Sequence, residues 1–286
     1  MREYRSAAMD NARWAGFEPR DNDVFVCTPS KCGTTWMQTI VANLFWPDGG
    51  IPAPIFTLCP WIEAKFIPAD AMHQTLRAQT HRRAMKSHTP ADGIPWFEQA
   101  KYIVVGRDGR DAFMSWCNHI RRMKIVDMLN ERAAKEGLPP LRKFDGDYHA
   151  FFRDWLEDNN YFDVVASYWA RRREPNILFV HYNDMKADLA GQMRRVAAFL
   201  DIGLTESQWP AVVERCTFDG MRRAGKAIND FSVGFDGGIE GFLFKGTNGR
   251  WRDVLDADDL AAYQAKSAKV LSPAAAHWTE HGGPVQ

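Results

Sequence analysis

Lys31-Cys32-Gly33-Thr34-Thr35-Trp36-Met37 is the stretch on which the fold turns. It follows the apolar run Val24-Phe25-Val26-Cys27 and the breaker Pro29, and it leads into the helix-like Met37-Gln38-Thr39-Ile40-Val41-Ala42-Asn43-Leu44-Phe45. A buried strand therefore runs into a tight turn, and a helix starts there. A helix start presents unpaired N–H groups and a partial positive charge. Gly33 lets the backbone approach an oxyanion, Lys31 adds a full charge, and Thr34 and Thr35 add donors. These are the parts of a phosphate cradle. The triphosphate-binding signature G-x-x-x-x-G-K-[ST] is not met. Lysine precedes the glycine, no glycine lies between Val24 and Lys31, and Cys32 stands where the metal-binding hydroxyl would be. The loop suits an anionic nucleotide without a metal-bridged triphosphate. The plain alternative is an ordinary strand–turn–helix connection with a surface lysine.

Working outward, apolar runs recur at Val24 to Cys27, Tyr102 to Val105 and Ile177 to Val180, with a shorter one at Ala84-Met85. Continuous rather than alternating apolarity predicts a parallel sheet covered on both faces. Helix-like segments separate the runs: Thr34 to Phe45, Arg110 to Leu129, Phe151 to Arg172, Asp184 to Phe199 and Glu206 to Arg215. That order predicts an α/β fold, a doubly wound parallel sheet of the phosphate-loop type flanked by helices. Ligands of such sheets bind at the carboxyl ends of the strands. Lys31, Lys86 with His88, and Arg107 all fall at strand exits. Residues 47–75, 131–147 and 216–250 lack this regularity, and long loops of this kind are usually functional or mobile.

The 286 residues suit one domain, residues 1–286, better than two that would each need a core. Lysine and arginine total 36, as do aspartate and glutamate, so no global field draws the protein to nucleic acid or a membrane. Anion affinity must come from local clustering. The stretch Met1-Arg2-Glu3-Tyr4-Arg5-Ser6 has no apolar signal-peptide core, and no run is long enough to span a bilayer. The five cysteines, Cys27, Cys32, Cys59, Cys117 and Cys216, are odd in number and form no C-x-x-C pair. Disulfides and structural zinc are not expected, and a cytoplasmic location is. Cys32 reads in two ways: as an exposed thiol acidified by the helix start and Lys31, or as a small residue filling the loop.

Four segments together resemble the cytosolic-type sulfotransferases, which use 3′-phosphoadenosine-5′-phosphosulfate. Cys27-Thr28-Pro29-Ser30-Lys31-Cys32-Gly33-Thr34-Thr35-Trp36 is similar to that family's 5′-phosphosulfate loop. Ala84-Met85-Lys86-Ser87-His88-Thr89-Pro90 resembles its K-T-H-x-P strand end. The segment from Val104 to Trp116, with Arg107 and Ser115, resembles its 3′-phosphate motif R-x-x-x-D-x-x-x-S. Phe242-Leu243-Phe244-Lys245-Gly246-Thr247-Asn248-Gly249-Arg250-Trp251 resembles its R-K-G-x-x-G-x-W motif. The matches keep the family's order and span residues 24–251.

The resemblance implies transfer of a sulfonate group to a hydroxyl, with adenosine 3′,5′-bisphosphate leaving and no metal required. It implies that His88 is the base, that Lys31 stabilises the leaving oxygen, and that Lys86 holds the transferring sulfonate. Cys32, Gly33, Thr34 and Thr35 complete the 5′-side loop. Arg107, Ser115, Lys245 and Gly246 hold the 3′-phosphate, Trp36 and Phe218 sandwich the adenine, and Tyr182 and Thr217 contact the nucleotide. Each residue has a structural alternative: a structural histidine for His88, a surface position for the lysines, a salt bridge to Asp108 or Asp111 for Arg107, and core packing for the aromatics. His181 reads as structural. Phe56, Trp61, Phe66 and residues 131–155 are the expected acceptor pocket, suited to a phenol, an alcohol or a lipid.

Three departures stand out. Phe244 replaces the arginine usual before Lys-Gly, and Arg250, Arg222 or Arg223 are candidates to substitute. Cys216 stands where a hydroxyl is common. The segment after Trp251 does not reproduce the dimerisation pattern of the family's animal members, so the oligomeric state is left open. A phosphate-loop small-molecule or nucleotide kinase is one rival; it needs Mg²⁺ and an upstream glycine, which is absent. A non-catalytic bisphosphonucleotide-binding module is another, opposed by the presence of His88 and Lys86.

Overall fold

The computed structural model describes residues 1–285. Four strands, β1 (Val24–Cys27), β2 (Ala84–Ser87), β3 (Lys101–Gly106) and β4 (Ile177–His181), form one parallel sheet in the order β2-β1-β3-β4. All four expected runs are strands, including the short one at Ala84-Met85. Successive side chains of a strand point to opposite faces, and the core divides accordingly. Phe25, Cys27, Met85, Tyr102, Val104 and Phe179 pack with Phe113, Phe152 and Tyr161 on one face. Val24, Val26, Ala84, Ile103, Val105 and Val180 pack with Met37, Ile40, Val41 and Leu44 on the other. With both faces covered, no polar alternation survives, hence the continuous apolar runs.

From β1 the chain goes to β2 on one side and then returns to β3 on the other. This reversal beside β1 is the switch point where sheets of this kind open a crevice at their carboxyl ends. The helix Thr34–Phe45, here α1, leaves β1 there and starts and ends as the sequence predicts. Three other expected helices are each broken in two. Arg110 to Leu129 divides into Gly109–Arg122 and Val126–Lys135, because Met123 leaves to bridge Phe235. Phe151 to Arg172 divides into Tyr148–Asp158 and Tyr161–Trp169, where the Asn159 side chain accepts from the Tyr161 N–H. Asp184 to Phe199 divides at Asp188, whose carboxylate caps the Gly191 N–H. The Glu206 to Arg215 segment is a helix over Trp209–Cys216.

The expected irregular stretch 47–75 contains the helix Ile55–Leu58 and the start of Ala69–Ala78. Its centre is tied to the sheet edge: Trp61 forms a parallel bridge with Lys86, and the Lys86 N–H donates to Pro60 O at 2.9 Å. Among the described residues, no helix is long and apolar enough to cross a membrane.

Candidate active site

The turn after β1 is shaped by two residues in the left-handed region, Lys31 at φ 70° and Gly33 at φ 102°. A lysine there is uncommon. The Arg107 guanidinium holds it, donating from Nη1 to the Lys31 carbonyl at 3.1 Å. Gly33 is required on two counts: its φ, and the Tyr182 ring, whose Cδ2 would lie 3.1 Å from a Cβ. Thr28 Oγ1 and Thr34 Oγ1 are 2.5 Å apart and tie the strand exit to the helix start. The Lys31 ammonium reaches across the crevice to His119 Nδ1 at 3.1 Å and lies 4.7 Å from the Phe242 ring centre. Burial, together with the neighbouring Lys86 and Arg107, pushes the Lys31 pKa down to about 7.

At the exit of β2, His88 is buried with Nδ1 2.8 Å from the Thr28 carbonyl oxygen. A carbonyl only accepts, so Nδ1 carries the hydrogen and Nε2 keeps its lone pair. Burial and the Lys86 and Lys31 charges push the His88 pKa down to about 3, against the Thr28 bond. The imidazole is therefore neutral near neutral pH. Trp61 packs edge-on to it at 5.1 Å, and the Asn160 amide donates to its carbonyl. Lys86 lies between aromatic faces, 4.7 Å from Trp61 and 5.1 Å from Phe56. Burial lowers its pKa to about 8.

Arg107, at the exit of β3, does not pair with Asp108 or Asp111. Asp108 caps the next helix and binds Arg110, while Asp111 accepts from the Gly249 N–H. The Arg107 fork instead holds the Asn248 side chain at 3.1 and 2.7 Å and stacks 4.2 Å from the Tyr182 ring centre. Ser115 lies two turns into the helix Gly109–Arg122 and faces the same cavity. Of the substitute arginines, Arg223 is drawn to Glu214 and Arg222 to Glu240. Arg250 lines the cavity, close enough to Arg107 to feel its charge, and its Nε is buried without a hydrogen-bond partner.

These side chains meet in one cavity of about 540 Å³. Its wall includes Lys31, Gly33, Thr34, Thr35, Trp36, Lys86, His88, Arg107, Ser115, Tyr182, Phe218, Lys245 and Gly246. Trp36 is anchored by an Nε1–H bond to Cys216 O at 2.7 Å. Gly246, at φ 63°, presses against Phe218, and a Cβ would sit 2.9 Å from that ring. Two expected residues are not on the wall. The Thr217 hydroxyl caps its own helix, accepting from the Gly220 N–H. Cys32 points into the core, and burial pushes its pKa up to about 12, so the acidified, exposed thiol is corrected to a buried filler. His181 is structural as expected, donating from Nε2 to Thr279 O and accepting the Asn183 N–H at Nδ1.

On the acceptor side Phe56, Trp61 and Phe66 line the cavity as expected. No residue of 131–155 does, which overturns that part of the expectation. Phe151, Phe152 and Trp155 are buried against Phe113 instead. Their place is taken by Phe231, Phe235 and Phe242 from the 216–250 segment and by His119. His119 was unforeseen, although it stands one helical turn after Ser115 on the same face. Two glycines where a Cβ would crowd a ring, an orphaned arginine nitrogen and two half-buried ammonium groups with no carboxylate in an ion pair make a cradle for a polyanion. The neutral His88 stands beside aromatic walls, on the side of the cavity that suits an apolar compound.

The sulfotransferase domain family matches residues 21–272. A glycolipid sulfotransferase of Mycobacterium bovis is 32% identical over 98% of this chain and 94% of its own length. Sulfotransferase 1C2 of Oryctolagus cuniculus is 27% identical over 87% of this chain and 83% of its own. Among solved structures, a retinol dehydratase in complex with androsterone and inactive cofactor PAP superposes with a TM-score of 0.73. It is 21% identical, over 93% of this chain and 87% of that one.

Proposed function

The chain belongs to the sulfotransferase family, and from that premise we propose that it moves the sulfonate of 3′-phosphoadenosine-5′-phosphosulfate to a hydroxyl of an apolar acceptor. The donor supplies the sulfonate group and leaves as adenosine 3′,5′-bisphosphate. His88 Nε2 takes the acceptor proton, and its Nδ1–H bond to Thr28 keeps that tautomer in place. Lys31 neutralises charge at the leaving oxygen, and Lys86 holds the sulfonate oxygens. The helix start at Gly33 to Trp36 grips the 5′-side anion. Arg107, Ser115, Lys245 and Gly246 hold the 3′-phosphate, and Arg250 serves as the second arginine there, in place of one at position 244. Trp36, Phe218 and Tyr182 enclose the adenine, with Thr217 beside them. Residues 1–286 act as one unit in this proposal.

The observation that carries it is the meeting of Lys31, Lys86, His88 and Arg107, from three strand exits, with Ser115 from the helix after β3, on the wall of one cavity. The aromatic half of that wall and the glycolipid-acting relative favour a lipid or other apolar alcohol as acceptor. A cytoplasmic location fits five cysteines that are all free and buried. The test is an acceptor screen with labelled donor, run on the native protein and on His88→Ala. It is paired with calorimetry of adenosine 3′,5′-bisphosphate with and without Mg²⁺. Transfer abolished in the variant, with Mg²⁺-independent binding, supports the proposal. Binding of ATP but not of the bisphosphate rejects it.

A further inference from the structure

Glu63 has no place in the chemistry described so far, does not line the cavity, and is fully buried. Its Oε1 accepts three side-chain hydrogen bonds: from Trp14 Nε1 at 3.0 Å, from Thr89 Oγ1 at 3.1 Å, and a short one from Ser87 Oγ. Ser87 and Thr89 are the two residues that flank His88. They are also tied to each other, the Thr89 N–H donating to Ser87 Oγ at 3.1 Å. Two residues before Glu63, the Trp61 ring packs on His88 and faces the Lys86 ammonium. On its other side the Glu63 main chain accepts the Asp10 N–H at 2.9 Å, and Ile62 O accepts from the Arg13 guanidinium. One carboxyl group thus joins the N-terminal segment, the aromatic wall and the strand end that delivers Lys86 and His88.

Putting a carboxyl group in a dry interior is costly unless a local gain offsets it. Its second oxygen, Oε2, is buried with no partner at all. Burial pushes the Glu63 pKa up, so the group tends toward the neutral acid while Oε1 remains the shared acceptor. The pattern is one-sided, with three donors converging on one oxygen. That is the geometry of a clamp, since a charge partner would bring a cation to the carboxylate.

We propose that Glu63 is a positioning residue that clamps Ser87 and Thr89, and through them sets the angle at which His88 and the Trp61 wall meet the acceptor hydroxyl. The proposal rests on the sulfotransferase reading for its turnover consequence, while its geometric content stands on the hydrogen bonds alone. A clamp predicts a split result. Loss of the acceptor oxygen changes the reacting geometry and leaves the nucleotide half of the cavity, built from β1 and β3, intact. A misplaced base of this kind costs on the order of 10–100-fold in turnover.

Glu63→Ala and Glu63→Gln are compared with the native protein by three measurements. These are kcat and KM for the acceptor found in the screen, calorimetric affinity for adenosine 3′,5′-bisphosphate, and the NMR signals of the His88 imidazole. In Glu63→Ala, kcat falls and the His88 signals shift or broaden, while bisphosphate affinity holds. Glu63→Gln, which keeps an oxygen at Oε1, restores most of the turnover and the native His88 signals. If Glu63→Ala does not fold, Thr89→Val removes one donor from the clamp at nearly constant shape and gives the same changes in smaller measure. A folded Glu63→Ala with native kcat and unmoved His88 signals overturns the proposal. So does a Glu63→Gln variant that loses as much as Glu63→Ala. If the native protein transfers no sulfonate, the functional proposal fails, and the His88 signals alone still decide for or against the clamp.

Discussion

The Lys31 ammonium and the His119 imidazole, 88 positions apart in sequence, stand 3.1 Å from each other across the mouth of the anion cradle. Both groups are half-buried, and the Lys31 charge lowers the proton affinity of the His119 ring, which stays neutral and accepts from the ammonium. A half-buried lysine with a pKa of about 7, next to a second one at about 8, binds fewer protons than the same groups in water. A polyanion favours the charged forms and raises both values. Binding of adenosine 3′,5′-bisphosphate therefore takes up protons as pH rises past the free values of about 7 and about 8, and affinity falls in the same direction. Calorimetry in buffers of different ionisation enthalpy reads the uptake directly. His119→Phe removes the acceptor for the Lys31 ammonium and moves the fall to lower pH. His119→Gln, which keeps an acceptor, leaves it in place. Equal proton uptake by all three proteins would show that the contact does not tune Lys31.

His88 supplies a prediction of opposite visibility. Its pKa of about 3 means that its NMR signals do not titrate between about pH 5 and about pH 8, where an ordinary histidine does. The unfolded chain takes up that proton near pH 6.5 and the folded one does not, so this group costs stability as pH falls from about 6.5 toward 3. His88→Gln flattens that part of the acid limb. In turnover, His88→Ala loses about 10²–10⁴-fold, with bisphosphate affinity held because the nucleotide is gripped elsewhere. A variant that still turns over within a few-fold of native would remove His88 as the base.

Much of this site was legible in the sequence because its chemistry sits at strand exits. A strand end is fixed by a short apolar run, so Lys31, Lys86, His88 and Arg107 could be placed from local pattern alone. The acceptor side was less legible. An aromatic at helical spacing looks the same whether it faces a cavity or a core, and only the packing of Phe151, Phe152 and Trp155 on Phe113 decides. The helix breaks at Asn159 and Asp188 come from single side-chain caps that propensity does not register. Asn248, which fills the Arg107 fork, belongs to a loop with no periodicity to betray it.

The missing arginine at Phe244 leads to a paired test on two other arginines. Phe244 lies on the wall with cations on three sides: Arg250 at 5.4 Å, Lys245 at 5.3 Å and Arg122 at 5.6 Å from its ring centre. Of the three candidate arginines, Arg250 alone lines the cavity, and its buried Nε has no hydrogen-bond partner. Arg250→Ala therefore weakens bisphosphate binding by roughly 10–100-fold, the worth of hydrogen bonds to a charged group. Arg223→Ala, on a residue committed to Glu214, does not. Adenosine 5′-phosphate, which lacks the 3′-phosphate, binds Arg250→Ala and native protein alike. If the variant weakens both nucleotides equally, Arg250 does not read the 3′-phosphate.

Gly33 offers the test of the cradle itself. At φ 102° an L side chain is strained, and the new Cβ would meet Tyr182 Cδ2 at 3.1 Å. Backbone strain of this kind costs on the order of 1–3 kcal/mol. The ring can give by a few tenths of an ångström, but Tyr182 is itself held under the Arg107 guanidinium. The push is thus transmitted to the group that also holds the Lys31 carbonyl. Gly33→Ala should lower the melting temperature by several degrees, as a loss of that size does in a chain this long. It should also weaken bisphosphate binding by more than the stability loss accounts for, since the fold remains populated at room temperature. Gly137→Ala is the control: it shares the positive φ but has open space around it. That variant shows the strain in its melting temperature and keeps native affinity. Equal affinity losses in the two variants would mean that strain alone, without close approach at the cradle, explains the effect.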